Sequence, residues 1–202
     1  MRRTTLASAL SLAAASLLLS VGAVAGNGNG NGNENGNGNV NTDLTGFQEV
    51  PVVITTGEGT LKLVINESAH TIDYTLTFSG LQADITQSHI HVAQKSVNGA
   101  IVLWLCQTTG TPAPAAVAAT TPFCYDPNNP SANKRANTVS GHLTDASALA
   151  STGANAPQQI AGGNLEDALI AIDAGKAYGN IHTTVSPGGE IRGQINSKKH
   201  DH

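Results

Sequence analysis

Apolar and polar residues alternate with a period of two along much of this chain, in short runs separated by turn-forming residues. Leu61, Leu63 and Ile65 alternate with polar neighbours, and so do Ile72, Tyr74, Leu76 and Phe78, with Asn66-Glu67-Ser68-Ala69 between the two runs. Successive side chains of a strand point to opposite faces, so these residues face a core while Thr71, Asp73, Thr75 and Thr77 face water. The pattern predicts an antiparallel hairpin. Further strands are predicted at 47–53, 87–92, 100–105, 138–143, 178–185 and 190–195, the third of them following an Asn98-Gly99 turn. About eight short strands with regular turn signals predict an all-β domain, an antiparallel β-sandwich or flattened barrel. One short helix interrupts them near 164–174. Asn164 is placed to cap it, Glu166 and Asp167 suit its positive start, Leu165, Leu169 and Ile172 share one face, and Gly175 ends it. A second helical turn is expected within 145–151.

Two runs carry candidate chemistry. Ser88-His89-Ile90-His91-Val92 and Asn180-Ile181-His182-Thr183 place imidazoles on one strand face and isoleucines on the other, with isoleucine inward and imidazole outward. His89 and His91, joined by His182 from a neighbouring strand, would offer three neutral nitrogens of the kind that hold Cu or Zn. The competing reading is structural: histidines that knit strands by hydrogen bonds, with Glu190 and Arg192 completing a polar cluster. In the last hairpin, Ile181 and Ile191 both face the core only if directly opposed residues have an even sum. A three-residue Pro187-Gly188-Gly189 loop obeys this and sets His182 opposite Gln194; a five-residue loop sets it opposite Arg192. In both, His182, Glu190, Arg192 and Gln194 share the non-core face.

The ends of the chain change the picture of where it works. Arg2 and Arg3, the Ala/Leu-rich run that follows, and Ala23-Val24-Ala25 have the form of a secretory signal peptide over 1–25. Residue 26 is Gly and not the Cys of a lipoprotein. Residues 26–41 are almost pure Gly-Asn repeat and are expected to form a disordered tether; the domain then spans 42–197, with a charged tail at 198–202. Loss of Arg2 and Arg3 takes the formal net charge from −4 to −6, which offers no basic face for nucleic acid or anionic lipid. No transmembrane segment is expected in the mature protein. Cys106 and Cys124 are the only cysteines, and in an oxidising compartment two thiols pair by default. That disulfide would close a loop of about 18 residues and add roughly 3 kcal/mol; a reactive or metal-binding thiol is the minor alternative.

Taken in order, Leu44-Thr45-Gly46-Phe47-Gln48-Glu49-Val50-Pro51, Gly80-Leu81, His89-Ile90-His91, Asn98-Gly99, Gly141 and Leu143, Gly179-Asn180-Ile181-His182-Thr183 and Pro187-Gly188-Gly189-Glu190-Ile191-Arg192-Gly193-Gln194-Ile195 resemble the CHRD, or chordin-type, domain of secreted bacterial proteins. The chain departs from that pattern at Val92-Ala93-Gln94, and its disulfide loop is longer. The resemblance implies a superoxide-dismutase-like β-fold with no activity assigned in general, and makes His89, His91, His182, Glu190 and Arg192 motif positions. The likeness to the copper-zinc superoxide dismutases themselves is loose, because residues 107–137 hold no His and a single acid, Asp126. No nucleophile elbow, phosphate loop or paired carboxylates stand out. Two functions from different classes follow. The first is an exported, non-enzymatic module that binds an extracellular protein or matrix partner, secreted, periplasmic or at the cell surface. The second is a Cu- or Zn-binding redox or storage protein that uses His89, His91 and His182.

Overall fold

Eight strands pair in one antiparallel sheet in the computed structural model, which describes residues 37–151 and 158–196. In chain order they are β1 (Asn37–Thr45), β2 (Glu58–Asn66), β3 (Thr71–Ser79), β4 (Ile85–Val92), β5 (Ala100–Cys106), β6 (Asn137–Leu143), β7 (Ala177–Thr183) and β8 (Ile191–Ile195), with helix α1 (Glu166–Asp173) before β7. The order across the sheet is β5-β4-β7-β8-β1-β2-β3-β6. The outer strands β5 and β6 curl toward each other and leave a nearly closed, flattened barrel. Tyr74 on β3 spans the seam and donates from its hydroxyl to the Leu105 carbonyl of β5 at 2.5 Å. Its ring fits because the residue opposite on β6 is Gly141, where a Cβ would run into the Tyr74 ring. No helix among the described residues is long and apolar enough to cross a membrane.

The β2–β3 hairpin follows its alternation. Leu61 opposes Leu76, Leu63 opposes Tyr74 and Ile65 opposes Ile72, all buried. Helix α1 lays Leu169 and Ile172 on the core, joined by Leu165 at its N-cap. Asn164 accepts the Glu166 N–H at its start, and Gly175 closes it with φ of 64°. The expected helical turn after residue 144 is a 3-10 turn, Asp145–Ser147.

Three expectations are corrected. The run 47–53 is not a strand. The Gly46 carbonyl accepts the N–H groups of both Glu49 and Val53, which folds the segment into a 3-10 turn and loop and leaves Phe47 and Val52 exposed. The first strand lies upstream: Val40, Thr42 and Leu44 point inward while Asn39, Asn41 and Asp43 point out. So 37–41, expected as tether, is paired with β2. Residues 26–36, the leader at 1–25 and the tail at 198–202 lie outside the described residues. In the last hairpin Ile181 does oppose Ile191, but Asn180 opposes Arg192 and Tyr178 opposes Gln194. The connection is longer than either loop expected, because Thr183 stays paired with Ile85 of β4 while Ser186 accepts the N–H groups of Thr183 and Gly189 in its own turn. The third correction concerns solvent. The histidine face is buried, with His89 0 % exposed and Arg192 1 %, because loops cover it.

Two of those covering loops are anchored chemically. Cys106 and Cys124 form the expected disulfide. Gln107 then organises the loop behind it, donating to the Ala118 and Thr121 carbonyls and accepting the Ala113 N–H. Ala113 and Val117 pack on Trp104. Glu190, itself fully buried, holds the loop between β1 and β2: it accepts from the Thr55 hydroxyl, the Gln82 N–H and the Thr183 hydroxyl at 2.7, 2.8 and 2.7 Å.

Candidate metal centre

β4 and β7 are far apart in sequence and adjacent in the sheet. Gln87 opposes His182, His89 opposes Asn180 and His91 opposes Tyr178. Because side chains alternate, Ser88, Ile90 and Ile181 go to one face and His89, His91, Tyr178, Asn180 and His182 to the other. The three imidazoles named from the pattern therefore meet: one ring nitrogen from each of His89, His91 and His182 lies within 4.8 Å of the others, and all three side chains are buried.

His91 Nδ1 donates to the Gly99 carbonyl and His182 Nδ1 faces the Pro187 carbonyl, each at 2.9 Å. A carbonyl only accepts, so the neutral His91 ring carries its proton on Nδ1 and presents a bare Nε2. His91 Nε2 has no partner, and neither nitrogen of His89 has one. His182 faces an acceptor at each ring nitrogen, Pro187 O at Nδ1 and Asn180 Oδ1 3.1 Å from Nε2, and a neutral ring with one proton serves one of them at a time. Burial pushes His89 down to about 2, helped by repulsion from His182 and His91. Burial also lowers His91 to about 4, against the pull of the Gly99 carbonyl, and lowers His182 against that of Pro187. All three are neutral near pH 7, the form that ligates a metal. Carbonyl acceptors on Nδ1 fix ring orientation in the way that ligating histidines are commonly fixed.

Aromatic and charged groups surround the trio. Trp104 meets His89 edge-on with ring centroids 4.3 Å apart. Tyr178 stacks on His91 at 4.7 Å, nearly parallel, and the Arg192 guanidinium lies 3.7 Å from the Tyr178 centroid. Arg192 donates to the Asn98 side chain and the Val97 carbonyl, each at 3.0 Å. It does not join Glu190, so the expected Glu190–Arg192 cluster resolves into two separate anchors. Glu49 completes the rim. Burial raises its carboxyl to about 7 against the attraction of Arg192 and hydrogen bonds from the Val50 backbone and the Asn180 side chain, and its Oε1 has no hydrogen-bond partner. The carboxyl sits against Gly189, whose φ of 128° and missing Cβ leave the space. Beside this rim Glu49, Lys95, Arg192, Gln194 and Phe47 line a cavity of about 390 Å³.

Sequence reasoning named the three histidines and Arg192, and missed Glu49, Trp104, Tyr178 and Asn180. Tyr178 and Asn180 share parity with His182 along β7, a usable signal; Glu49 and Trp104 arrive through loop and sheet closure, which carries none. His70 and His142 stay outside the site, beside Asp145 and Glu166 and beside Asp73.

A model of the CHRD domain family matches residues 40–195, a span that takes in every strand bearing the site. No curated protein and no solved structure matches the chain. From the order of its motifs and the extent of that match, this chain belongs to the CHRD domain family.

Proposed function

We propose that this CHRD domain is an exported metal-binding module in which His89, His91 and His182 together hold one Cu or Zn ion. The observation that carries the reading is the set of buried, partnerless nitrogens on His89 and His91. Leaving a buried polar group unsatisfied costs about 1–3 kcal/mol, and an ion removes that penalty at several atoms together. Ligation at about 2.0–2.1 Å sets neighbouring nitrogens roughly 3.4 Å apart, a modest contraction from the 4.8 Å limit found here. Export is supported by the leader-like sequence of 1–25, and the Cys106–Cys124 disulfide is compatible with an extracellular setting. Purified protein is expected to take up one Cu or Zn ion per chain, and His89→Ala with His91→Ala to lose it. A folded protein that binds neither ion, with a melting temperature indifferent to chelator, defeats the reading.

A second role is favoured by a different observation. Phe47, Val52 and Ile54 are 71, 57 and 73 % exposed on one loop, an apolar surface suited to an extracellular protein or matrix partner. Such an interaction module needs no catalysis and is compatible with a bound ion.

A further inference from the structure

The charge around the three histidines selects among ions. A dication held by neutral ligands keeps both its charges, and a buried site stabilises that only if anionic groups stand close. His89, His91 and His182 supply no negative charge, and the group of ligating side chains they form contains no carboxylate. The fixed charge that His91 senses has the wrong sign. Arg192 is buried, sits over Tyr178, and Tyr178 in turn stacks on His91, so the guanidinium is no farther from the His91 ring than those two stacking distances combined. Its donors go to the neutral Asn98 side chain and the Val97 carbonyl. Among the described residues no carboxylate comes within ion-pair distance of it. Glu49 senses that charge but does not pair with it.

Coordination number points the same way. Three nitrogens converge from two adjacent strands, with Trp104 closing one side of His89 and Tyr178 one face of His91. Zinc prefers four ligands and keeps water or substrate in an open position when the protein supplies three. Monovalent copper accepts three nitrogens and adds half as much charge to a buried, positively biased pocket.

Resting on the metal-binding reading above, we propose that the centre is selective for monovalent copper over divalent zinc, with Arg192 as the residue that sets the preference. Arg192 does this without touching the ion, through its charge across the Tyr178 ring.

The test uses the full purified chain without oxygen, with ascorbate keeping copper monovalent. Cu(I) is titrated in competition with bathocuproine disulfonate, and Zn(II) separately against a chromogenic zinc chelator. One Cu(I) per chain is expected, bound at least about 100-fold more tightly than zinc. His182→Ala is expected to abolish tight Cu(I) binding. Arg192→Met should narrow the Cu(I)-to-Zn(II) preference about tenfold or more, while Arg192→Lys preserves most of it. A misfolded variant weakens both ions together, so the ratio separates charge from structural damage; the wild-type ratio needs no variant. Tight 1:1 zinc with equal or weaker Cu(I) overturns the selectivity and leaves the metal reading standing. A chain that binds neither ion overturns both.

Discussion

Glu49 shows how one residue links the chemistry of the site to the stability of the fold. Its carboxyl is enclosed against Gly189 and rises from 4.5 to about 7 because burial disfavours the charged form more than Arg192 favours it. A folded-state value above the unfolded one means that the fold holds the proton more tightly. The associated stability is present in full below about 4.5 and is lost as pH rises through 7, on the order of 3 kcal/mol at completion. Glu49→Gln mimics the protonated form. It is expected to raise the melting temperature clearly at pH 8 and hardly at pH 4.5. An equal shift at both values would mean that the carboxyl is not held protonated.

At the scale of elements, β5 and the disulfide loop form the wall behind His89. Cys106 ends β5 two residues after Trp104, and the loop it tethers brings Ala113 and Val117 onto the indole. Cys106→Ala with Cys124→Ala is expected to cost about 3 kcal/mol of stability. It should also release the loop, and Trp104, the one tryptophan in the chain, should report this as red-shifted emission of the folded protein. Unshifted emission would show that Gln107 alone holds the wall. How far each element was legible depended on contrast. β2 and β3 were plain because strong hydrophobes alternate with charged and hydroxyl residues and one face meets water. β1 was hidden because Val40, Thr42 and Leu44 sit within a run of Asn and Gly that reads as low complexity. The run 47–53 looked like a strand because Phe47 and Val52 are apolar, yet the backbone turn at Gly46 exposes them. The three histidines were legible as a pattern. Their burial was not, since a period-two face tells which residues travel together and not which loops will lie over them.

For the whole molecule, the buried imidazoles predict sensitivity to acid. His89 and His91 fall to about 2 and about 4 in the fold from 6.5, so the unfolded chain takes up their protons first. Their contribution to stability is intact above about 6.5 and erodes as pH falls toward the folded values, at about 1.4 kcal/mol per pH unit for each group. By pH 5 this amounts to on the order of 2 kcal/mol per histidine, with Glu49 acting in the opposite direction. The melting temperature of metal-free protein should drop steeply between pH 6.5 and 5, and a bound ion should resist that drop until protons displace it. His89→Leu combined with His91→Leu should flatten the curve. A wild-type profile that is level across this interval would contradict neutral, buried imidazoles.

The strand order has a consequence for assembly. β4 comes early in the chain, but its neighbour β7 and the third imidazole come from near the end. Without β7, strand β4 keeps β5 on one side, and its two histidines lie along an edge whose other side is unpaired. The three nitrogens come together only where β7 is zipped onto β4, so the pocket itself reports that this long-range pairing has formed.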